Sequence, residues 1–398
     1  MVELSRRGAL GALGAGAVAT PLLAQDLVRL GFANGDRAVA GGFPEKGAMI
    51  VQRSRAPVLE TPWDVYGRGV FTRNDRFYVR WHYSDIPLSV DVAAFRLRIG
   101  GAVNSPRALT LGELLKLPRV ELAAVNQCAG NSRGHFTPRV AGAQWGHGAM
   151  GNARWVGVRL RDVLDLAGVR AGATAVRFAG LDRPPVEGAP WYAKSLSVDH
   201  ARDGEVMIAF AMNGAALPML NGFPIRLVVP GWYSTYWIKA LDRIEVLTGA
   251  DDNFWMAKAY RIPTTPDGGV APGTKDFAST PIGAMVPRSF VTSVADGAVV
   301  RAGQPLSLGG LAMGGDAGVA RVDLRVDGAP WQAATLEVDH GRYSFRRWTA
   351  TLPPLARGTH SIGVRCTNAS GVAQPEVAVW NPSGYQRGVI ETIKVIAQ

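Results

Sequence analysis

The decapeptide running from Val125 to Gly134, VNQCAGNSRG, holds two side chains that could react, Cys128 and Ser132. Gly130 to Gly134 spell G-x-S-x-G, the spacing of a strained turn that lifts a serine hydroxyl clear of a strand end. Such an elbow needs a strand before it, a helix after it, and Asp and His partners later in the chain. Upstream, VELAAV reads as a strand, and Asp199-His200 could supply the partners. Downstream, HFTPRVAGAQWGHG carries Pro138 and three glycines and shows no helical period. Cys128 offers other chemistry. Cations such as the neighbouring Arg133, and Arg80 if the fold brings it close, favour the thiolate, the form that binds soft metals. A buried cysteine acting as a small hydrophobe is the plain alternative. None of the six histidines falls in an H-E-x-x-H or comparable pair for zinc or iron.

Several elements must position these residues. Leu160, Val163, Leu164 and Ala167 recur at helical spacing, with Gly168 where a helix should stop. Val206 to Ala211 reads as a strand, Asn213-Gly214 as a hairpin turn, and Ile225 to Val229 as the returning strand. Residues 76–282 therefore read as an α+β body with short helices. After Pro281 the texture changes. Val322, Leu324 and Val326 alternate inward ahead of an Asp327-Gly328 turn, and HSIGVRCTN and GVIETIKVIA repeat that alternation. Residues 283–398 fit an immunoglobulin-like β-sandwich. Residues 26–75 read as an irregular, extended arm laid over the body.

Residues 1–25 read as an export signal rather than part of the fold. Arg6-Arg7 precede a Gly- and Ala-rich apolar run, and Leu22-Leu23-Ala24 offers a cleavage site, the pattern of a twin-arginine leader. That route carries folded proteins and so predicts a cofactor and a periplasmic destination. The apolar run is short for a membrane span, and no later segment is a candidate. Charged residues make up 19% and apolar residues 47%, which suits a folded chain. The net charge of +11 favours anionic substrates and acidic partners. No basic run or aromatic-basic repeat supports nucleic-acid binding. Only Cys128 and Cys366 occur. One disulfide between them is the simplest pairing for an exported chain, while the strand context of Cys366 favours a buried packing role. No C-x-x-C-H occurs, which predicts no c-type haem on this chain.

YVRWHY at 78–83, CAGNSR at 128–133, QWGHGAMGNARW at 144–155 and MNGAALPMLNGFPIRLVVPG at 212–231 together resemble the sulfite oxidase family of molybdopterin enzymes. IKALDRI at 238–244 and WNPSG at 380–384 continue the likeness in order. The resemblance implies a molybdopterin-binding domain followed by a dimerisation sandwich, with Cys128 as the thiolate ligand of molybdenum. It further implies that Arg80 and Arg133 bind the substrate anion, that Trp145 walls the pocket, and that Tyr260 hydrogen-bonds beside the metal. His82, Arg226 and Lys239 match contacts to the pterin or its phosphate. Arg226, set in an apolar strand, should have a buried anionic partner. Two positions depart from the animal enzymes. Asn221 stands where they carry a histidine, and Ser383 where they carry a tail arginine, a charge that Arg387 could replace. The implied activity is sulfite dehydrogenation, with electrons passed to a c-type cytochrome, by a homodimer or a heterodimer with that cytochrome. Methionine sulfoxide reduction and a Ser132 hydrolase are the alternatives.

Overall fold

The computed structural model describes residues 26–398; the twin-arginine segment lies outside them. The architecture is α+β and rich in strands, and the longest helix among the described residues has only eight residues, Leu160–Ala167. That helix buries Leu160, Val163, Leu164 and Ala167 and is capped by Gly168, as its spacing predicts.

Two sheets carry the body. The first is antiparallel, with Arg119–Gln127 beside Met150–Arg159, and that strand beside Met207–Met212. Asn213 and Gly214 take positive φ, 51° and 78°, as a two-residue hairpin turn requires. The returning strand is split. Ala215–Ala216 pairs with one end of Met207–Met212, and Arg226–Val228 with the other. The residues between leave the sheet, and it is this detour that brings Asn221 and Arg226 to the cleft described below. The second sheet is mixed. It runs Ala193–Ser197, Ala175–Gly180, Leu241–Leu247, Leu97–Gly101 and Arg107–Leu109, with one parallel pair between Leu241–Leu247 and Leu97–Gly101.

The stretch expected as an irregular arm is pleated instead. Asp26–Arg29, Asp36–Ala40, Met49–Arg53, Val58–Glu60 and Val79–Arg80 form a five-stranded antiparallel meander. It is stitched to the body by Glu60, whose buried carboxylate accepts the N–H groups of Gly146 at 3.1 Å and Gly148 at 2.9 Å.

From Arg288 onward the chain is an immunoglobulin-like sandwich of a four- and a five-stranded sheet. Val322, Leu324, Trp348, Ile362, Val364, Cys366 and Val395 fill the space between them. Each large apolar side chain buried there contributes roughly 1.5–3 kcal/mol. Both cysteines are free thiols, so the expected disulfide is absent. Cys366 belongs to the sandwich core and Cys128 to the core of the body. Burial pushes the Cys366 thiol up to about 12, leaving it a packing residue.

Candidate active site

Cys128 immediately follows the strand Arg119–Gln127, and its N–H donates to Ala149 O at 2.9 Å. Beyond it the chain turns sharply, because the Arg133 guanidinium folds back over Gly130. A Cβ at Gly130 would come within 2.4 Å of that group.

The thiol lies in an enclosed cleft whose lining includes Arg80, His82, Arg226, Lys239 and Tyr260. Six of the eight expected site residues are thus gathered in one place. Arg80 arrives on the strand Val79–Arg80, and His82 follows two residues later. Arg226 opens the strand Arg226–Val228.

The cations of this cleft form no ion pair among the described residues, although the buried carboxylate of Asp182 attracts the charge of Lys239. Arg226 is 3% exposed and donates only to the carbonyls of Asn221 at 2.9 Å and Trp237 at 3.1 Å. Its guanidinium packs over the rings of Trp155 and Trp237, and burial lowers it to about 10. Lys239 Nζ donates to Arg80 O at 2.8 Å, and burial, followed by Arg226, lowers its pKa. Arg226 Nε and Arg80 NH1 are buried with no partner among the described residues. The anionic partner expected for Arg226 is therefore not a protein carboxylate. Orphaned donors of this kind fit an anionic ligand.

Tyr260 takes φ 55°, an uncommon conformation for an aromatic residue. Neighbours on every side hold it there. Its hydroxyl lies 2.6 Å from His82 Nε2, and its ring stacks on Tyr385 at 5.5 Å. His82 in turn stacks on Tyr192 at 3.7 Å. Burial, followed by the charges of Arg80 and Lys239, pushes His82 well below its usual range, so the ring is neutral. Burial also raises the Tyr260 phenol, which stays protonated.

Arg133 and Trp145 are not part of the lining. Arg133 Nε donates to Ser383 O at 3.1 Å, and its guanidinium lies 5.2 Å from the Tyr385 ring centroid, one ring removed from Tyr260. Trp145 is 1% exposed and meets Tyr78 edge-on behind the cleft. Arg387 does not replace the tail arginine either, since its NH1 pairs with Glu391 Oε1 at 2.7 Å. Four lining residues fall in none of the motifs read from the sequence: Tyr192, Ser234, Thr235 and Trp237.

Ser132 has the left-handed backbone of an elbow, φ 68°, and its Oγ lies 2.7 Å from His147 Nδ1. Yet it is fully buried and accepts a hydrogen bond from Arg288 NH2 at 2.9 Å. The chain continues as a single 3-10 turn, Arg133–His135, in place of a helix. Ser132 is a strut between the cysteine loop and the sandwich, and no substrate reaches it. Arg288 pairs with Glu391, which also lies 3.9 Å from His147 Nε2. His135 stacks on His147 at 4.4 Å.

Two family models match the chain. Residues 83–255 match the oxidoreductase molybdopterin binding domain, and 279–397 the Mo-co oxidoreductase dimerisation domain. Mitochondrial sulfite oxidase of Homo sapiens is 33% identical over 85% of this chain, which spans 64% of that protein. Sulfite oxidase of Arabidopsis thaliana is 31% identical over 84% of this chain and 89% of its own length. The chain belongs to the sulfite oxidase family of molybdopterin enzymes. The crystal structure of the sulfane dehydrogenase SoxCD from Paracoccus pantotrophus shares the fold. It has TM-score 0.70 at 24% identity and covers 98% of this chain and 92% of that one.

The residues present suit the cofactor of this family. Among the described residues, no three His, Cys, Asp or Glu side chains group as metal ligands. Cys128 thus offers a single thiolate, and a metal bound there draws its other donors from outside the protein, as a pterin dithiolene supplies. Arg226 and Lys239 are placed to meet the charged part of such a cofactor.

Proposed function

We propose that the protein is a periplasmic sulfite dehydrogenase that oxidises sulfite to sulfate and gives the electrons, one at a time, to an external c-type cytochrome. The observation that carries this reading is the cleft itself, where one thiol sits among three cations, the fully buried Arg226 and the half-buried Arg80 and Lys239, that form no ion pair among the described residues. When bound, molybdenum–molybdopterin supplies the two-electron redox chemistry. The chain's own residues do the rest. Arg80, with an unpaired N–H, binds the substrate oxyanion and stabilises charge that develops on it. Neutral His82 fixes the Tyr260 hydroxyl, and the two neutral groups set the polarity beside that oxyanion without adding charge. Arg133 acts through the Tyr385–Tyr260 stack. Lys239 and Arg226 hold the pterin side, and Trp145 backs Tyr78 to keep water from the rear of the cleft.

Export by the twin-arginine route accords with residues 5–24, and the net charge of +11 suits an acidic electron acceptor. The match to a dimerisation domain supports a homodimer. The test is sulfite-dependent reduction of ferricyanide by metal-analysed protein, with Cys128→Ser alongside. Activity and molybdenum that both vanish in the variant support the reading. Turnover indifferent to Cys128→Ser sinks it, and molybdenum without sulfite turnover redirects attention to methionine sulfoxide reduction.

A further inference from the structure

Asn221 lines the cleft, and the short turn that carries it, Met219–Asn221, is held from outside by the N-terminal meander. Glu45 Oε2 accepts the Met219 N–H at 2.6 Å, at one end of the turn. At the other end Lys46 Nζ donates to Asn221 Oδ1. Trp81 Nε1 donates to Leu220 O between them, at 3.1 Å. Asn221 passes the constraint on, since its Nδ2 donates to Tyr78 O at 3.2 Å and its carbonyl accepts from Arg226 NH1 at 2.9 Å. Two hydrogen bonds thus connect Lys46 to a cleft cation.

Lys46 is an unusual lysine. It is 8% exposed, and its ammonium faces three neutral oxygens: Asn221 Oδ1, Asn74 O at 2.6 Å and Phe77 O at 3.1 Å. Burial lowers its pKa to about 7. Asp75 and Glu45 attract its charge and Arg226 repels it, but neither carboxylate pairs with it. An ammonium buried without an ion pair is costly unless an anion arrives to offset it. The residue it holds is Asn221, the position at which the resemblance to the sulfite oxidase family implies a histidine.

We propose that Glu45 and Lys46 are positioning residues for the molybdopterin. They fix the Met219–Asn221 turn, and Lys46 supplies, from behind Asn221, the positive charge toward the cofactor's anionic part that a histidine at 221 would carry. The inference rests on the molybdopterin reading of the cleft, and the experiment separates the two. The chain is produced in a host that makes the cofactor. Pterin and molybdenum per protein are measured after prolonged gel filtration, together with the Tm of the cofactor-free form. Lys46→Met is expected to keep the cofactor-free Tm while its cofactor retention falls about tenfold or more, the scale of losing a supporting partner of a ligand. Lys46→Gln, which keeps a donor toward Asn221 Oδ1 but no charge, falls between. Adding Asn221→His to Lys46→Met restores retention, which a merely structural role for Lys46 does not predict. Wild-type retention in a folded Lys46→Met overturns the proposal, as does a double variant no better than the single one. If methionine does not fold, wild-type retention in Lys46→Gln overturns it equally. Wild-type protein without pterin overturns the cofactor reading and this proposal together, whereas loaded wild type with insensitive variants overturns this proposal alone.

Discussion

Two clusters of charge meet the cysteine loop, one in the cleft at Cys128 and one at Ser132, and they are built on different principles. In the cleft, Arg80, Arg226 and Lys239 face carbonyls and aromatic rings and form no ion pair among the described residues. At the junction with the sandwich, Arg288 and Arg387 converge on one carboxylate, Glu391, and Ser132 takes a further N–H of Arg288. Burial opposes ionisation of Glu391, but its cationic neighbours hold it down at about 2. His147, Arg387 and Arg288 together hold the carboxylate down against its burial. The lesson concerns closure. A cluster that holds a paired carboxylate of its own serves folding, and one left without such a pair serves a ligand.

The largest effect should come from breaking the closed cluster. Glu391→Gln leaves Arg288, 1% exposed, without its counter-charge and should cost about 3–5 kcal/mol in denaturant unfolding. A loss of less than about 1 kcal/mol, the scale of an exposed pair, would show that the junction is open to water. The same cluster sets an acid limb. The folded pKa of Glu391 lies below its usual 4.5, so its stabilisation is complete above that value and is lost as pH falls toward about 2. An acid titration of stability should show this limb in the wild type and not in Glu391→Gln.

The open cluster should respond in the reverse way. Arg80→Met is expected to lower kcat/KM for sulfite by about 10²–10³-fold, as for a lost oxyanion donor. The Tm of the cofactor-free protein should hold or rise, because an uncompensated charge is removed. A large fall in that Tm would place Arg80 with the structural residues. Lys46 titrates near 7 when folded, against 10.5 unfolded. Between those values the unfolded chain binds more protons, so cofactor-free protein should gain stability as pH rises from about 7 to 10.5. Loading the cofactor should flatten that slope. The smallest effect is expected for Ser132→Ala. It should cost about 1–3 kcal/mol by leaving buried partners unsatisfied, and sulfite turnover should persist in the folded fraction. Loss of turnover without loss of stability would give the hydroxyl a part in the chemistry.

What could be read from the chain was whatever depends on near neighbours. The helix at Leu160–Ala167, the Asn213-Gly214 turn and the alternating strands of the sandwich have local periodicity that survives into the structure. The meander at residues 26–80 does not. Its strands are two to five residues long, and several are only partly buried, so no alternation marks them. The site was legible mainly through family motifs, which brought Cys128, Arg80, His82, Arg226, Lys239 and Tyr260 to one cleft. They could not tell which residues touch the cleft and which stand behind it, as Arg133 and Trp145 do. Arg387 misled because it is close in sequence to the missing arginine, although it turns toward the strand Glu391–Ala397. Lys46 was silent because its partner Asn221 is 175 residues away.

The tail after the tryptophan at 380 crosses back to the cysteine loop. Gln386 N–H donates to Ala129 O at 3.0 Å, Arg133 donates to Ser383 O across 250 residues, and Tyr385 covers the ring of Tyr260. A wall laid by such late residues has a consequence in time. While the chain is being synthesised, the cysteine loop is made long before the residues that cover it, and contacts so remote in sequence are slow to form. Until the ribosome has passed Tyr385, the side of Tyr260 that the tail will cover stays open. The wall of the cleft is thus among the last parts of the described chain to be made, followed only by a short run into the strand Glu391–Ala397 and by Gln398.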